Sequence, residues 1–228
     1  AIISGVETKV QLFCMRLPYS KASFIRAYPS QKMECFLDGH VFAYEFFGGV
    51  ARRNAYDNLK SAVIQVGKGR ERKLNQKFLE LRSHYLFDSR FCNIASGNEK
   101  GHAENLVKDS QRSFMSPPPH VMDLDELNEV LLRQCAEALS EVVEEKGRTR
   151  GELLEEEREF FLPLPTRKYE ACIVRSTYAT KQSLVEHDGN FYSVPVKWAH
   201  HEIIIKAFVG RIDLHHDDEL IATHERNW

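Results

Sequence analysis

In the stretch GNEKGHAENLVKDSQRSF, residues 97–114, Glu104 sits between Lys100 and Lys108 at four-residue spacing, and Arg112 continues the row. Read as a helix, this places one carboxylate and three cations on a single polar stripe, beside an apolar stripe of Ala103, Val107, Ser110 and Phe114. A second carboxylate, Asp57, ends the run RRNAYDN. Two carboxylates brought together repel each other, and a divalent cation relieves that repulsion. Magnesium fits such a pair because it takes carboxylate oxygens and keeps positions open for phosphate oxygens. Lys100 and Lys108 would then hold a polyanion against the metal, and Gly97 and Gly101 would let a backbone approach closely. The same spacing also reads as a solvated helix face, and Asp57-Asn58 also reads as an Asx-turn.

The elements that must position these residues follow from periodicity. KVQLFCMRLP (9–18) and ASFIRAYP (22–29) read as a hairpin, and residues 31–48 carry Met33, Phe36, Leu37, Val41, Tyr44 and Phe47 at helical spacing, stopped by Gly48-Gly49. A strand over 50–59, a charged excursion over 60–75, a helix over 76–87 and a strand over 88–95 lead into the 97–114 helix. This order predicts an α/β fold, a mixed sheet with flanking helices and an antiparallel hairpin on one side. If the strand before Asp57 and the helix of Glu104 meet at one edge, the acids converge at a carboxyl-end crevice.

SPPPH (116–120) closes this region, residues 1–115. Helices over 123–147 and 150–165 follow in an acidic linker, residues 116–165, with Leu131, Leu132, Ala138 and Leu139 expected on its packing side. From 166 to 228 short strands and turns predict a small β-barrel-like domain, with a hairpin signal at His187-Asp188-Gly189-Asn190.

The net charge of −2 hides a division: residues 45–115 hold 13 Lys/Arg against 8 Asp/Glu, and residues 116–165 hold 5 against 13. Screening confines each field to about 10 Å, so the basic surplus stays with the candidate acids. Five scattered cysteines lack ligand or pairing spacing and suit reduced thiols. No apolar run is long enough for a membrane span, and the N-terminus lacks the basic start of a signal peptide. GKGRER (67–72) lacks the P-loop pattern, and the adjacent histidines 200–201 and 215–216 would point to opposite faces of a strand.

HVFAYEFFGGVARRNAYDNLKSAV (40–63), FCNIASGNEKGHAENLVKDSQRSFMSPPP (91–119) and the NFYSVP strand in 190–228 together resemble the IstA-type transposases of two-gene insertion sequences, essentially over the whole chain. The resemblance implies an RNase H-like core of the DDE class, with Asp57 as the second acid and Glu104 as the third, 47 residues later. It implies two magnesium (or manganese) ions in the intact site, and cleavage and strand transfer of insertion-sequence ends. The implied partners are transposon-end and target DNA, an AAA+ ATPase helper and further copies of the chain on paired ends. The implied setting is the bacterial cytoplasm, near the nucleoid.

DNA phosphates would meet Lys60, Arg70, Arg72, Lys73, Lys100, Lys108 and Arg112, with Asn58, Asn98, Gly101 and His102 in support. The first acid and its strand are expected ahead of Ala1, which would leave the numbered chain inactive by itself. A non-enzymatic DNA-binding or assembly module of the same fold, and a metal-dependent nuclease or resolvase, are the competing expectations.

Overall fold

The computed structural model describes residues 1–56, 63–66, 72–91 and 113–228, with 63–66 and 72–73 as backbone. It is a mixed α/β structure that divides into two compact units. The first comprises Ala1–Gln31 and Gly39–Tyr169, the second Lys32–Asp38 and Glu170–Trp228.

In the first unit, β1 (Ile2–Ile3) pairs antiparallel with β2 (Val6–Glu7) and parallel with β9 (His120–Val121). The expected hairpin forms from β3 (Gln11–Arg16) and β4 (Ser23–Tyr28), antiparallel from Gln11 opposite Tyr28 to Arg16 opposite Ser23. Strand alternation gives this hairpin two apolar faces. Phe13, Met15 and Phe24 pack with Phe42, Ala43, Phe46 and Phe47 of α1 (Met33–Phe47). Leu12, Cys14, Ile25 and Ala27 pack with Leu127, Leu131 and Cys135 of α3 (Leu124–Glu137). At Gly39 the helix backbone approaches the hairpin so closely that a Cβ would stand 2.4 Å from the Phe13 ring. Gly48 ends α1 with φ +74°, the left-handed conformation that glycine adopts without strain.

Next come β5 (Arg53–Tyr56), β6 (Val63–Val66), β7 (Arg72–Leu74), α2 (Gln76–Tyr85) and β8 (Asp88–Phe91). The charged excursion expected over 60–75 contains structure: β6 and β7 pair antiparallel, because VIQV and RKL each place enough extended residues to form a ladder. The helix expected over 123–147 stops at Glu137, ten residues early. Val142 and Val143 are β-branched and leave it as β10 (Val142–Val143), paired with β11 (Arg148–Thr149). Its packing side also differs from expectation. Leu131 is buried, but Leu132 is 46% exposed and the apolar stripe runs through Leu127, Leu131 and Cys135. α4 (Arg150–Arg158) begins with a capping box between Thr149 and Glu152. It is tied to the hairpin turn, where the Tyr19 hydroxyl donates to Glu156 at 2.7 Å and the Ser20 amide to Glu157 at 3.1 Å.

One polar residue on α3 faces the core. Asn128, 6% exposed, accepts from the Ala27 amide at 2.7 Å and donates to the Ala27 carbonyl at 3.0 Å. Its side chain thus supplies the partner that the outer edge of β4 would otherwise lack. Asn128→Leu leaves both backbone groups buried and unpaired, an expected loss of about 3 kcal/mol. For a unit of this size that corresponds to a thermal midpoint lower by roughly 6–12 °C. A midpoint within 2 °C of the parent by calorimetry, against that expectation, would mean that water replaces the amide at no cost.

The second unit is β-rich, as expected. β12 (Ile173–Tyr178), β15 (Glu202–Ala207), β16 (Arg211–His216) and β17 (Glu219–Glu225) form a four-stranded antiparallel sheet in that order, beside the hairpin β13 (Leu184–His187) and β14 (Asn190–Ser193). Asp188 and Gly189 make the two-residue turn with φ of +53° and +79°, as their types predicted. Ile203, Ile205, Ala207, Ile212 and Leu214 form the core with Val185, Tyr192 and Val194.

A buried charge cluster completes this unit. Arg226, its side chain fully buried, donates to Glu34 at 2.6 Å, to Asp188 at 2.7 Å and to the Phe208 carbonyl at 2.7 Å. Lys32 pairs with Asp188 at 2.8 Å, and the Trp228 ring lies 3.7 Å from the Arg226 guanidinium.

Candidate functional site

β5 has the sequence Arg-Asn-Ala-Tyr, and its pleat buries Asn54 and Tyr56 while Arg53 and Ala55 stay exposed. It pairs in parallel with β8, Arg53 opposite Asp88 and Tyr56 opposite Phe91. Asp57 is the next residue after Tyr56, and the segment that contains Glu104 begins directly after Phe91. Both strands run toward the carboxyl edge, where open α/β sheets place their sites.

Beneath that edge lies a buried polar network. His40, on α1 and fully buried, has Nε2 3.0 Å from the Tyr56 hydroxyl. Asn54 donates from Nδ2 to the Tyr44 oxygen at 2.5 Å. Tyr56 also hydrogen-bonds with Asn54 and Tyr44. Aromatic rings enclose the group: His40 stands edge-on to Phe13 at 5.0 Å and parallel to Phe87 at 6.4 Å, and Tyr56 packs edge-on to Phe78 at 5.3 Å.

Burial is the first cause that raises the phenols above their ordinary value: Tyr44 and Tyr56 go well above it, and Tyr85 reaches about 12. Neighbouring tyrosines add to the rise at Tyr44. All three stay neutral at physiological pH, which makes them hydrogen-bonding groups and not proton-transfer groups.

Asp57, Asn58, Lys60, Arg70, Asn98, Lys100, Gly101, His102, Glu104, Lys108 and Arg112 lie outside the described residues, so the structure brings none of them together or apart. Arg72 and Lys73 lie in β7, opposite Val66 and Gln65. Among the described residues, no group of three or more His, Cys, Asp and Glu is placed to hold a metal ion. The donor set expected at the carboxyl edge, two carboxylates, is the all-oxygen chemistry that suits magnesium. No helix among the described residues is long and apolar enough to cross a membrane.

Sequence reasoning did not single out His40, Asn54 or Tyr56 for this network. The available signal was a histidine at an apolar helical position, three residues after Leu37 and four before Tyr44.

Residues 164–228 match the family described as "Mu transposase, C-terminal domain". The chain is 37% identical over 227 residues to the "Transposase for insertion sequences IS1326/IS1353" of Pseudomonas aeruginosa, covering 99% of this chain and 45% of that protein. It is 34% identical over 229 residues to a "Transposase" of Aminobacter aminovorans, covering 99% of this chain and 44% of that protein. The chain therefore spans less than half the length of these relatives. A solved structure, the simian T-cell lymphotropic virus intasome in complex with PP2A regulatory subunit B56 gamma, is similar with a TM-score of 0.47 and 12% identity, over 99% of this chain and 72% of that one. Nearly the whole length of this chain is thus similar to bacterial proteins named as transposases, one of them a transposase for insertion sequences.

Proposed function

We propose that the chain contributes two metal-binding acids and a DNA-facing surface to an IstA-type DNA transposase of the RNase H-like, DDE class. The observation that carries this reading is the parallel pairing of β5 with β8, the two strands that in sequence directly precede Asp57 and the segment of Glu104. The insertion-sequence relatives support the same reading along 99% of the chain.

In this reading Asp57 and Glu104 hold the cations. When bound, divalent cations neutralise charge on the phosphate oxygens of an in-line displacement. Lys60, Arg70, Arg72, Lys73, Lys100, Lys108 and Arg112 hold the DNA backbone by charge, without reading bases. Asn58, Asn98, Gly101 and His102 shape the surroundings of the two acids. Paired insertion-sequence ends, target DNA, an AAA+ ATPase helper and further copies of the chain are the partners, and the module from 166 onward is an accessory domain of the barrel type.

The deciding experiment incubates the longest natural form of the chain with pre-cleaved end DNA, target DNA, helper ATPase, ATP and magnesium, with a chelator control. Joined end–target product in magnesium and none with chelator is the expected result. Nicking without joining would assign a nuclease or resolvase, and tight binding with neither product would assign an assembly module.

A further inference from the structure

We propose that β12 is a self-association edge: a second copy of this chain adds its own β12 there, antiparallel about Ser176, and continues the four-stranded sheet. This surface lies wholly in the second unit and does not depend on the reading of Asp57 and Glu104.

β12 ends the sheet order β12–β15–β16–β17 and pairs with β15 from Ile173 to Tyr178 without a register shift. Just past that ladder the Ala179 amide donates to the His201 carbonyl at 3.0 Å. Facing residues of an antiparallel pair alternate between hydrogen-bonded and open, so Thr177, Arg175 and Ile173 turn their backbone groups to β15. Val174, Ser176 and Tyr178 therefore turn theirs outward. Val174 is 43% exposed and Tyr178 68%, and Arg175 and Ser176 are exposed between them, so this edge stands in solvent. Among the described residues no backbone group pairs with it from the outer side.

Proteins that remain single blunt such edges with lysine, proline, a bulge or a cover. This molecule uses two of these devices elsewhere. Asn128 occupies the edge of β4 at Ala27, and β17 has a register shift between Leu214 and His215 against β16, with His224 Nε2 2.7 Å from the Ser193 carbonyl. β12, with the sequence IVRSTY, has no proline, no lysine and no bulge.

The register identifies the occupant. Turned antiparallel about Ser176, the strand is complementary to itself, as a twofold interface requires. Ser176 faces Ser176 of the second copy, and Val174 faces Tyr178, so all three outward residues exchange backbone hydrogen bonds. The Val174–Tyr178 contacts are β-branched–aromatic pairs, which stabilise facing strands. Arg175, the one charge in the strand, faces Thr177. A shift that centres the pairing on Arg175 sets two like charges opposite each other and leaves Tyr178 facing the buried Cys172, so the register about Ser176 is preferred.

The test uses the full chain without DNA or metal, so its outcome is separate from that of the joining assay. Sedimentation equilibrium should show a monomer–dimer equilibrium for the parent. Ser176→Pro should raise the dimer dissociation constant at least tenfold, since it deletes the outward N–H at the centre of the pairing and no bond to β15. Ser176→Cys with oxidised glutathione should give a disulfide-linked dimer, because Cα atoms of a hydrogen-bonded pair stand about 5.5 Å apart. Lys181→Cys in the next turn should not, since that position lies on the order of 30 Å from its own copy in this register. A parent that stays monomeric at every accessible concentration overturns the proposal. So does a dimer that Ser176→Pro leaves intact and Ser176→Cys fails to cross-link, because its contact lies elsewhere. If Ser176→Pro does not fold, cross-linking at 176 against 181 decides alone: equal yields overturn the proposal, and linkage at 176 only upholds it.

Discussion

Asp57→Ala and Glu104→Ala are each expected to lower DNA joining by about a thousandfold or more, with end-DNA affinity within about twofold of the parent. A cation held by carboxylates contributes several kcal/mol to transition-state charge stabilisation, and about 4 kcal/mol corresponds to a thousandfold in rate. Binding of the DNA backbone is carried by lysines and arginines, so removing one negative charge weakens it little. Asp57→Asn should lose as much as Asp57→Ala, because shape is kept while the anionic oxygen is lost. Joining by quenched-flow or end-point gel, beside filter-binding affinity, measures both. Undiminished joining in either alanine variant would identify that residue as a solvated surface acid, the reading that its helix-face or turn setting also allows.

Arg226→Met should destabilise the second unit by about 3–5 kcal/mol, because it leaves the buried Glu34 carboxylate without its cation. Glu34 is 4% exposed at its side chain and Arg226 fully buried, so solvent cannot make up the loss. Asp188 keeps Lys32, which confines the damage largely to Glu34. The double variant Arg226→Met, Glu34→Gln should recover most of the lost stability, since the uncompensated charge goes with the pair. If the double variant is as unstable as the single one, the loss comes from packing against Trp228 and not from the stranded carboxylate.

Acid should act on the same unit in one direction. Burial pushes the His187 imidazole below its ordinary value, opposed by Asp188 and reinforced by Arg226 and Arg175, with Glu34 acting in the raising direction. Its folded form prefers to be neutral, so the unfolded chain takes the proton first and stability falls as pH drops through about 6.5. Burial would raise Asp188, but hydrogen bonds from Lys32 and Arg226 outweigh it and hold the carboxyl at about 2. That stabilisation is present above the ordinary carboxylate value and is lost as pH falls from about 4 toward 2. The two signs agree. Thermal midpoints of the wild-type chain should fall in two stages on acidification, and His187→Gln should remove the upper one.

Local signals carried much of this architecture. The spacing of Phe36, Leu37, Val41, Tyr44 and Phe47 with Gly48 behind it specifies α1, and Asp188-Gly189 specifies the β13–β14 turn. Where one local signal competed with another, the reading went astray. Charges around Arg70 and Arg72 masked the strand content of Val63–Val66 and Arg72–Leu74, and the run of helix-forming residues after Leu131 hid the β-branched pair at 142–143. Leu132 was one position out of phase with the stripe of Leu127 and Leu131. The remaining features were illegible for a different reason. Asn128 and Ala27 lie 101 residues apart, and Arg226 and Glu34 lie 192 apart. A partner at that distance leaves no periodic trace. At the candidate site, the acids stood out by their types and spacing, whereas the network under Tyr56 depends on a helix and a strand meeting in three dimensions.

The Asn128 amide has a consequence for how copies of this chain behave at high concentration. An outer strand with free amide and carbonyl groups is a template, and a neighbouring chain can dock there and extend the ladder toward aggregation. At Ala27 both groups are already engaged by a side chain that cannot itself be extended. The residue that stabilises the fold therefore also ends sheet growth at that point, and Asn128→Leu would open the edge to self-association.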